Sequence, residues 1–226
     1  MTTGLEVTLG AVPALLLADK ALWLPRRRWL LVADVHIGKA VSFRRLGVPV
    51  PHGTTADTLQ RLEALVQRWS PERLVVLGDF LHSARARAPG TMDALAGWRR
   101  RRAALPITLV RGNHDDRAGD PPASLGIEAV DGPLHVDGLA LAHEPRPRPG
   151  VHVLGGHLHP CVRLGTGFDR LRLPCFWLGR ETTVLPAFGA FTGMHPVRPA
   201  DGDDVVAIAD GRLARLPRTA RSFAAG

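Results

Sequence analysis

Four apolar runs in this chain each end in a block of Asp, Asn, His and Gly, and no other feature limits its fold so strongly. "WLLVADVHIGK" (29–39) carries Trp29 to Ala33 into Asp34-Val35-His36, and "RLVVLGDFLHS" (73–83) carries Leu74 to Leu77 into Gly78-Asp79. "LPITLVRGNHDD" (105–116) leads into Gly112-Asn113-His114-Asp115, and "VHVLGGHLHP" (151–160) into Gly156-His157-Leu158-His159. Aliphatic, β-branched runs of this length read as buried strands. One such ending is an ordinary turn, since Asp, Asn and Gly follow many strands. Four in one chain need a common cause.

Helical patterns separate the first three runs. Residues 55–69 place Leu59, Leu62, Leu65, Val66 and Trp69 at helical spacing, with Thr54 or Thr55 as N-cap. Residues 89–103 hold Met92, Leu95 and Trp98 and predict a second helix. This β-α-β-α-β order predicts parallel strands with helices packed outside. The first 25 residues read as short strands or a hairpin, and the second half as short strands split by Gly, Pro and Asp. An α+β sandwich follows, its C-terminal half mostly sheet. In open α/β sheets functional groups gather beyond the carboxyl ends of the strands, which would bring all four blocks to one edge. "EPRPRPG" (144–150) reads as a Pro-rich surface loop and "ARSFAAG" (220–226) as a frayed end.

A chain of 226 residues, 45% hydrophobic, suits one substantial core, so a single domain over 1–226 is expected. No stretch reaches the ~18 uninterrupted apolar residues of a membrane helix. The run 11–18 is broken by Pro13 and has no Lys or Arg before it, which argues against a signal peptide and for a cytoplasmic location. Cys161 and Cys175 form no C-x-x-C pair, which argues against a thiolate zinc site or a disulfide framework. The 29 Lys and Arg outweigh 21 Asp and Glu by eight charges, with arginine clusters at 26–28, 44–45 and 99–102. Guanidinium groups grip phosphate with paired hydrogen bonds, although a charge run is also what a solvated face looks like.

In chain order the polar positions are Asp34-x-His36, Gly78-Asp79, Gly112-Asn113-His114-Asp115, His143 in "LALAHEP", and Gly156-His157-x-His159. Carboxylate, imidazole and amide groups without thiolate suit Mn²⁺, Fe²⁺ or Zn²⁺. The set is too large for one tetrahedral ion. Two ions ~3.5–4 Å apart, sharing one carboxylate, would use all of it and clamp both oxygens of an in-line displacement at phosphorus.

The series D-x-H, G-D, G-N-H-D, H, G-H-x-H over residues 34–159 resembles the calcineurin-like metallophosphoesterase superfamily. Within it, "ADVHIGKAVSFRRLGVPVP", "GDFLHS" and "HEP" before "GGHLHP" are similar to the ligase-associated DNA damage response endonucleases known as PdeM. The resemblance implies a four-layer αββα sandwich with two mixed β-sheets flanked by helices. It implies Asp34, His36, Asp79 and His159 on one metal, Asp79 bridging, and Asn113, His143 and His157 completing the second. Mn²⁺ is the first expectation, with Fe²⁺ or Zn²⁺ as alternatives. His114 would donate a proton to, or support, the leaving oxygen, with Asp115 orienting its imidazole. A hydroxide bridging the ions would attack, with no covalent enzyme intermediate. The implied setting is DNA repair, as an endonuclease acting with an ATP-dependent DNA ligase, a nuclease and a helicase.

Single residues carry less than the set. His143 alone would read as structural, and only its place between the N-H-D and H-x-H blocks makes it a ligand. His82 either touches substrate or caps the following turn. Arg44 and Arg45, just past the first block, form the favoured patch for a nucleic-acid backbone, while Lys39 and Arg111 meet phosphate or solvent. His52, His135, His152 and His195 match no motif and read as structural. Gly78, Gly112 and Gly156 allow close turns at strand ends. Trp177, Phe176, Phe188 and Phe191 belong to a core or to a dimer face.

Three other readings compete. A phosphodiesterase for cyclic or small nucleotides would use the same centre, and the absence of Tyr disfavours strong base reading. A non-catalytic adaptor would be free to lose ligands, yet all seven candidates and His114 are present. A pure DNA-binding module would show a recognition motif, and none is visible.

Overall fold

The structure, a computed structural model, describes residues 4–45, 47–50, 53–165 and 171–217, apart from the side chain of Arg45. The end expected to fray, residues 220–226, therefore lies outside the described residues. Strands β1 (Gly4–Leu9), β2 (Val12–Leu17), β3 (Ala21–Leu24) and β4 (Trp29–Ala33) form an antiparallel meander. Parallel strands β5 (Arg73–Leu77), β6 (Ile107–Val110) and β7 (Ile127–Val130) extend it to seven. Helices α1 (Lys39–Arg45), α2 (Thr54–Trp69), α3 (Pro89–Arg101) and α4 (Asn113–Ala118) lie in the crossovers, with short 3-10 turns at Ala84–Arg87 and Ala123–Leu125.

The second sheet holds β8 (Leu134–Val136), β9 (Leu139–Leu141), β10 (His152–Gly155), β11 (Pro160–Leu164), β12 (Leu171–Leu178), β13 (Thr182–Val184), β14 (His195–Pro196), β15 (Asp204–Ala209) and β16 (Arg212–Arg215). Its order is β14-β11-β12-β13-β10-β9-β8, with β15 on β12 and β16 on β15. Parallel and antiparallel pairs occur in both sheets, the mixed α+β sandwich that the sequence predicts.

The central strands read as unbroken apolar runs because both of their faces are buried. Leu30, Val32, Leu74, Val76 and Leu109 pack against Leu59, Leu62, Leu65 and Val66 of α2 and Leu95 and Trp98 of α3. The alternate residues Leu31, Ala33, Val75, Leu77 and Val110 pack against Leu139, Leu141, Leu154, Phe176 and Val206 of the second sheet. Each Val, Leu or Phe among them contributes about 1.5–3 kcal/mol on burial.

Two local expectations change. The N-cap of α2 is Gly53, at φ 88°, a left-handed entry that glycine takes without strain, and Thr54 and Thr55 are already helical. Among the described residues no helix follows Leu125, so helices flank only the first sheet. The far face of the second sheet carries Val162, Cys175, Val197 and Val205 with Trp177 and Leu216 instead. Its runs, cut by Pro160, Pro174 and Pro196, leave no stretch of helical period. No helix among the described residues is long and apolar enough to cross a membrane.

Candidate metal centre

The carboxyl ends of β4 and β5 continue side by side beyond the sheet. The Asp79 carbonyl accepts the His36 N–H at 2.8 Å, and the Phe80 carbonyl accepts that of Ile37 at 2.8 Å. In the second sheet the parallel pair β9–β10 does the same, with Gly156 N–H on the His143 carbonyl at 2.9 Å. The two sets of strand ends face each other.

The turns there are strained. Asp34, His36, Asp79, His157 and His159 all have left-handed backbones, at φ 52°, 48°, 52°, 65° and 45°. Asp and His tolerate this better than most residues, at a cost of about 1–3 kcal/mol each, and such strain collects at functional sites. The glycines of the motifs supply space. A Cβ on Gly78 would strike the His143 ring, one on Gly156 the Asp34 carboxylate, and one on Gly112 would lie 2.7 Å from the Asp79 nitrogen.

Seven side chains converge as a result. His159 Nε2 lies 3.5 Å from Asp34 Oδ1 and 3.3 Å from His36 Nε2, which is 3.7 Å from Asp79 Oδ2. His143 Nε2 lies 3.4 Å from Asp79 Oδ1 and 3.0 Å from both Asn113 Oδ1 and His157 Nδ1. Two groups, buried except for the half-buried His159, could each hold a cation, Asp34 with His36 and His159, and Asp34 with Asp79 and His143, the ligand atoms of each within 4.8 Å of one another. That grouping shares Asp34, whereas the sequence reading shares Asp79; Asp79 turns one oxygen towards each histidine cluster, the arrangement a bridging carboxylate needs.

Backbone groups orient these side chains. The Asp34 carboxylate accepts the His157 N–H at 2.9 and 3.1 Å, and Asp79 Oδ1 accepts the His114 N–H at 3.0 Å. The outer nitrogen of His143 faces the Leu77 carbonyl at 3.2 Å and that of His159 the Gly193 carbonyl at 3.1 Å, which leaves Nε2 of each pointing inward. Burial, reinforced by Lys39 and the neighbouring histidines, holds the His36 imidazole far below its ordinary pKa, so it is neutral as a ligand must be.

His114 is more open to solvent than the buried Asp34, His36, Asp79 and His143. Its side chain is 31% exposed, its Nε2 is 4.0 Å from Asp79 Oδ2, and its Nδ1 faces the His82 carbonyl at 2.7 Å. The expectation that Asp115 orients this imidazole is corrected. Asp115 is buried and accepts N–H groups from Phe80 at 3.0 Å, Leu81 at 3.3 Å and Gly112 at 3.0 Å. The first turn of α4 points it into the protein, and burial pushes its carboxyl up to about 6. Its role is to tie the second and third blocks together. His82 stacks on His114 with ring centroids 4.9 Å apart, and burial, with Lys39 and His114, lowers its pKa to about 4.

The basic patches are mostly engaged. Arg44 donates to the Val50 carbonyl at 3.4 Å and borders a cleft between α1, α2 and α3 whose lining includes none of the seven side chains. The side chain of Arg45 lies outside the described residues, as does His52. Arg111 is held by Asp120 at 2.7 and 2.8 Å and Asp131 at 2.8 Å. Arg27 pairs with Asp137, Arg28 with Glu72 and Arg102 with Glu63. Lys39 is half-buried, with burial lowering its pKa and Asp79 and Asp34 raising it. The exposed "EPRPRPG" loop brings Arg146, itself paired with Glu144 at 2.5 Å, and Arg148 to a 340 Å³ cleft that includes Asn113 and His143.

Among the remaining residues, His152 is buried against Thr183 Oγ1 at 2.9 Å, a structural role as expected. His195 is not remote, since its ring lies 6.4 Å from that of His159 and lines a 560 Å³ cleft with His157, Leu158 and Trp177. Phe176 and Phe188 are core residues, whereas Phe191 is 38% exposed. Both cysteines are free and buried, with burial raising their pKa values.

Known proteins are similar to this chain to different degrees. The family described as calcineurin-like phosphoesterase matches residues 27–159. The crystal structure of Pseudomonas putida nuclease MPE is similar at 45% identity and a TM-score of 0.84, over 94% of this chain and 100% of that one. YfcE, a phosphoesterase from E. coli, is similar at 17% identity and a TM-score of 0.42, over 83% of this chain and 97% of that one. A sequence search of curated proteins finds no significant match. With its motifs, fold and site in agreement, the chain belongs to the calcineurin-like phosphoesterases, hydrolases that work through a two-metal centre.

Proposed function

We propose that this protein is a dimetal-dependent DNA endonuclease of the cytoplasm, acting in DNA repair alongside an ATP-dependent DNA ligase, a nuclease and a helicase. The observation that carries the hydrolytic part is Asp79, whose two oxygens face separate histidine clusters while the solvent-reachable His114 stands 4.0 Å away. The likeness to nuclease MPE supports a nucleic acid as the substrate.

Asp34, His36, Asp79 and His159 would hold one cation, and Asp79, Asn113, His143 and His157 the other. Their hard and borderline donors fit Mn²⁺, with Fe²⁺ or Zn²⁺ as alternatives. When bound, two such ions supply Lewis acidity at the phosphoryl oxygens and an activated water. The chain itself orients His114: Nδ1 faces the His82 carbonyl, which can only accept, so Nδ1 carries a hydrogen and Nε2 is turned to the side of Asp79, where a general acid for the leaving oxygen would act. Arg146 and Arg148 flank Asn113 and His143, where a strand's neighbouring phosphates would lie.

A phosphodiesterase for small or cyclic nucleotides is the second reading, favoured by the 560 Å³ cleft beside His157, which is nucleotide-sized. One assay separates the two: product release from single-stranded, duplex, nicked and gapped DNA, a cyclic nucleotide and bis-p-nitrophenyl phosphate, with Mn²⁺ and with chelator. DNA cutting that needs Mn²⁺ and is lost in His114→Ala is the expected result. Turnover of the small esters alone would overturn the DNA reading.

A further inference from the structure

We propose that Phe43 and Phe191 form a stacking platform for the base beside the phosphate being cut; the inference rests on the nuclease reading above and adds a subsite that grips one flanking nucleotide. Phe191 is 38% exposed and meets Phe43 edge to face, with centroids 5.8 Å apart. Phe43 lies 5.9 Å from the ring of His82, which in turn stacks at 4.9 Å on His114. A row of four rings therefore runs from solvent to the imidazole beside Asp79.

Both phenylalanines sit on backbone that the site itself holds. Ser42, next to Phe43 on α1, bonds through its hydroxyl to that of Ser83 at 2.8 Å, one residue after His82. On the other side, Thr58 accepts the Ala190 N–H at 3.3 Å, Thr192 donates to the Gly189 carbonyl at 3.2 Å, and the Gly193 carbonyl faces His159. The segment that buttresses a candidate ligand thus also presents Phe191. A large ring left in water at the rim of a phosphoesterase centre, continuous with a site imidazole, fits a flat apolar ligand. In a substrate whose phosphate lies at the metals, that ligand is a nucleobase. Stacking tolerates any base, so the platform would grip the flanking nucleotide without reading its identity.

The test uses the full chain with Mn²⁺ and single-stranded oligonucleotides in which one abasic residue is moved past the cut position. The wild type is expected to lose about tenfold in kcat/KM when the base is missing at one nucleotide flanking the cut, and not elsewhere. Phe191→Ala is expected to raise KM by about tenfold on the intact strand and to be indifferent to that abasic residue, while its Mn²⁺ binding by calorimetry matches wild type. Phe191→Trp is expected to keep the wild-type response. Wild-type cutting that ignores every abasic position overturns the platform and leaves the nuclease reading intact. Turnover of small esters with no cutting of any oligonucleotide overturns both.

Discussion

The two sheets supply the candidate centre by different means. The first presents Asp34, His36, Asp79 and Asn113 beyond three neighbouring parallel strands, β4, β5 and β6, with helices among the crossovers. The second presents His143, His157 and His159 after the short strands β9 and β10, with no helix behind them among the described residues. Yet each is oriented by the other: Asp34 of the first accepts the His157 N–H of the second, and His143 of the second faces the Leu77 carbonyl of the first. The centre is therefore a property of the contact between sheets, and bound cations would fasten the two halves together.

Asp79→Ala is the strongest challenge to that view, because Asp79 touches both clusters. It is expected to abolish activity and metal binding. It should also remove the stabilisation by Mn²⁺, which in wild type at a hundredfold excess over Kd is about 2.7 kcal/mol, read as a rise in Tm. A variant that keeps that rise would show that either sheet binds metal alone. His114→Ala comes next, with metal retained and the rate lowered by about 10²–10⁴-fold. Equal losses of metal and rate would move His114 among the ligands. Asp115→Ala attacks the first sheet alone, leaving three backbone N–H groups without their acceptor, and a loss of about 1–3 kcal/mol in urea unfolding is expected. Unchanged stability would mean that the blocks after β5 and β6 are held together by other contacts.

Two smaller effects sharpen the comparison. Arg148→Ala, on the second-sheet side, is expected to lower the slope of log K against log salt for DNA by about one, and an unchanged slope would remove Arg148 from the strand's path. Lys20, in the turn between β2 and β3, gives a control on the first sheet. Burial, with Arg61, lowers its pKa from 10.5 to about 8, so between those values the unfolded chain binds more protons than the folded one. Stability should rise with pH across that window, and Tm measured for wild type against Lys20→Met should show the difference shrinking. A constant difference would mean that Lys20 is charged and solvated throughout.

The first sheet is the more legible of the two. Strands buried on both faces write themselves as unbroken apolar runs, so Asp34, Asp79 and Asn113 can be placed at one edge from residue order alone. His143 follows a three-residue strand and takes its meaning only from its neighbours in the motif series. Adjacency misled at Asp115, because the first turn of α4 sends it inward while His114 faces out. The pairing of the arginine clusters was illegible for a different reason: their partners Glu63, Glu72 and Asp137 come from elements distant in sequence. Left-handed backbone at aspartate and histidine leaves no mark in the sequence. Phe191 likewise looks like any core aromatic until the fold exposes it.

The room left by Gly78, Gly112 and Gly156 makes a second signature, independent of the metal-binding side chains. Ligand residues reveal what a homologue once could do; these three positions reveal whether it still can. A relative that keeps every Asp, Asn and His but carries alanine or serine in place of any one of the three has a pocket filled from behind, and is expected to be a degenerate copy that folds without turnover.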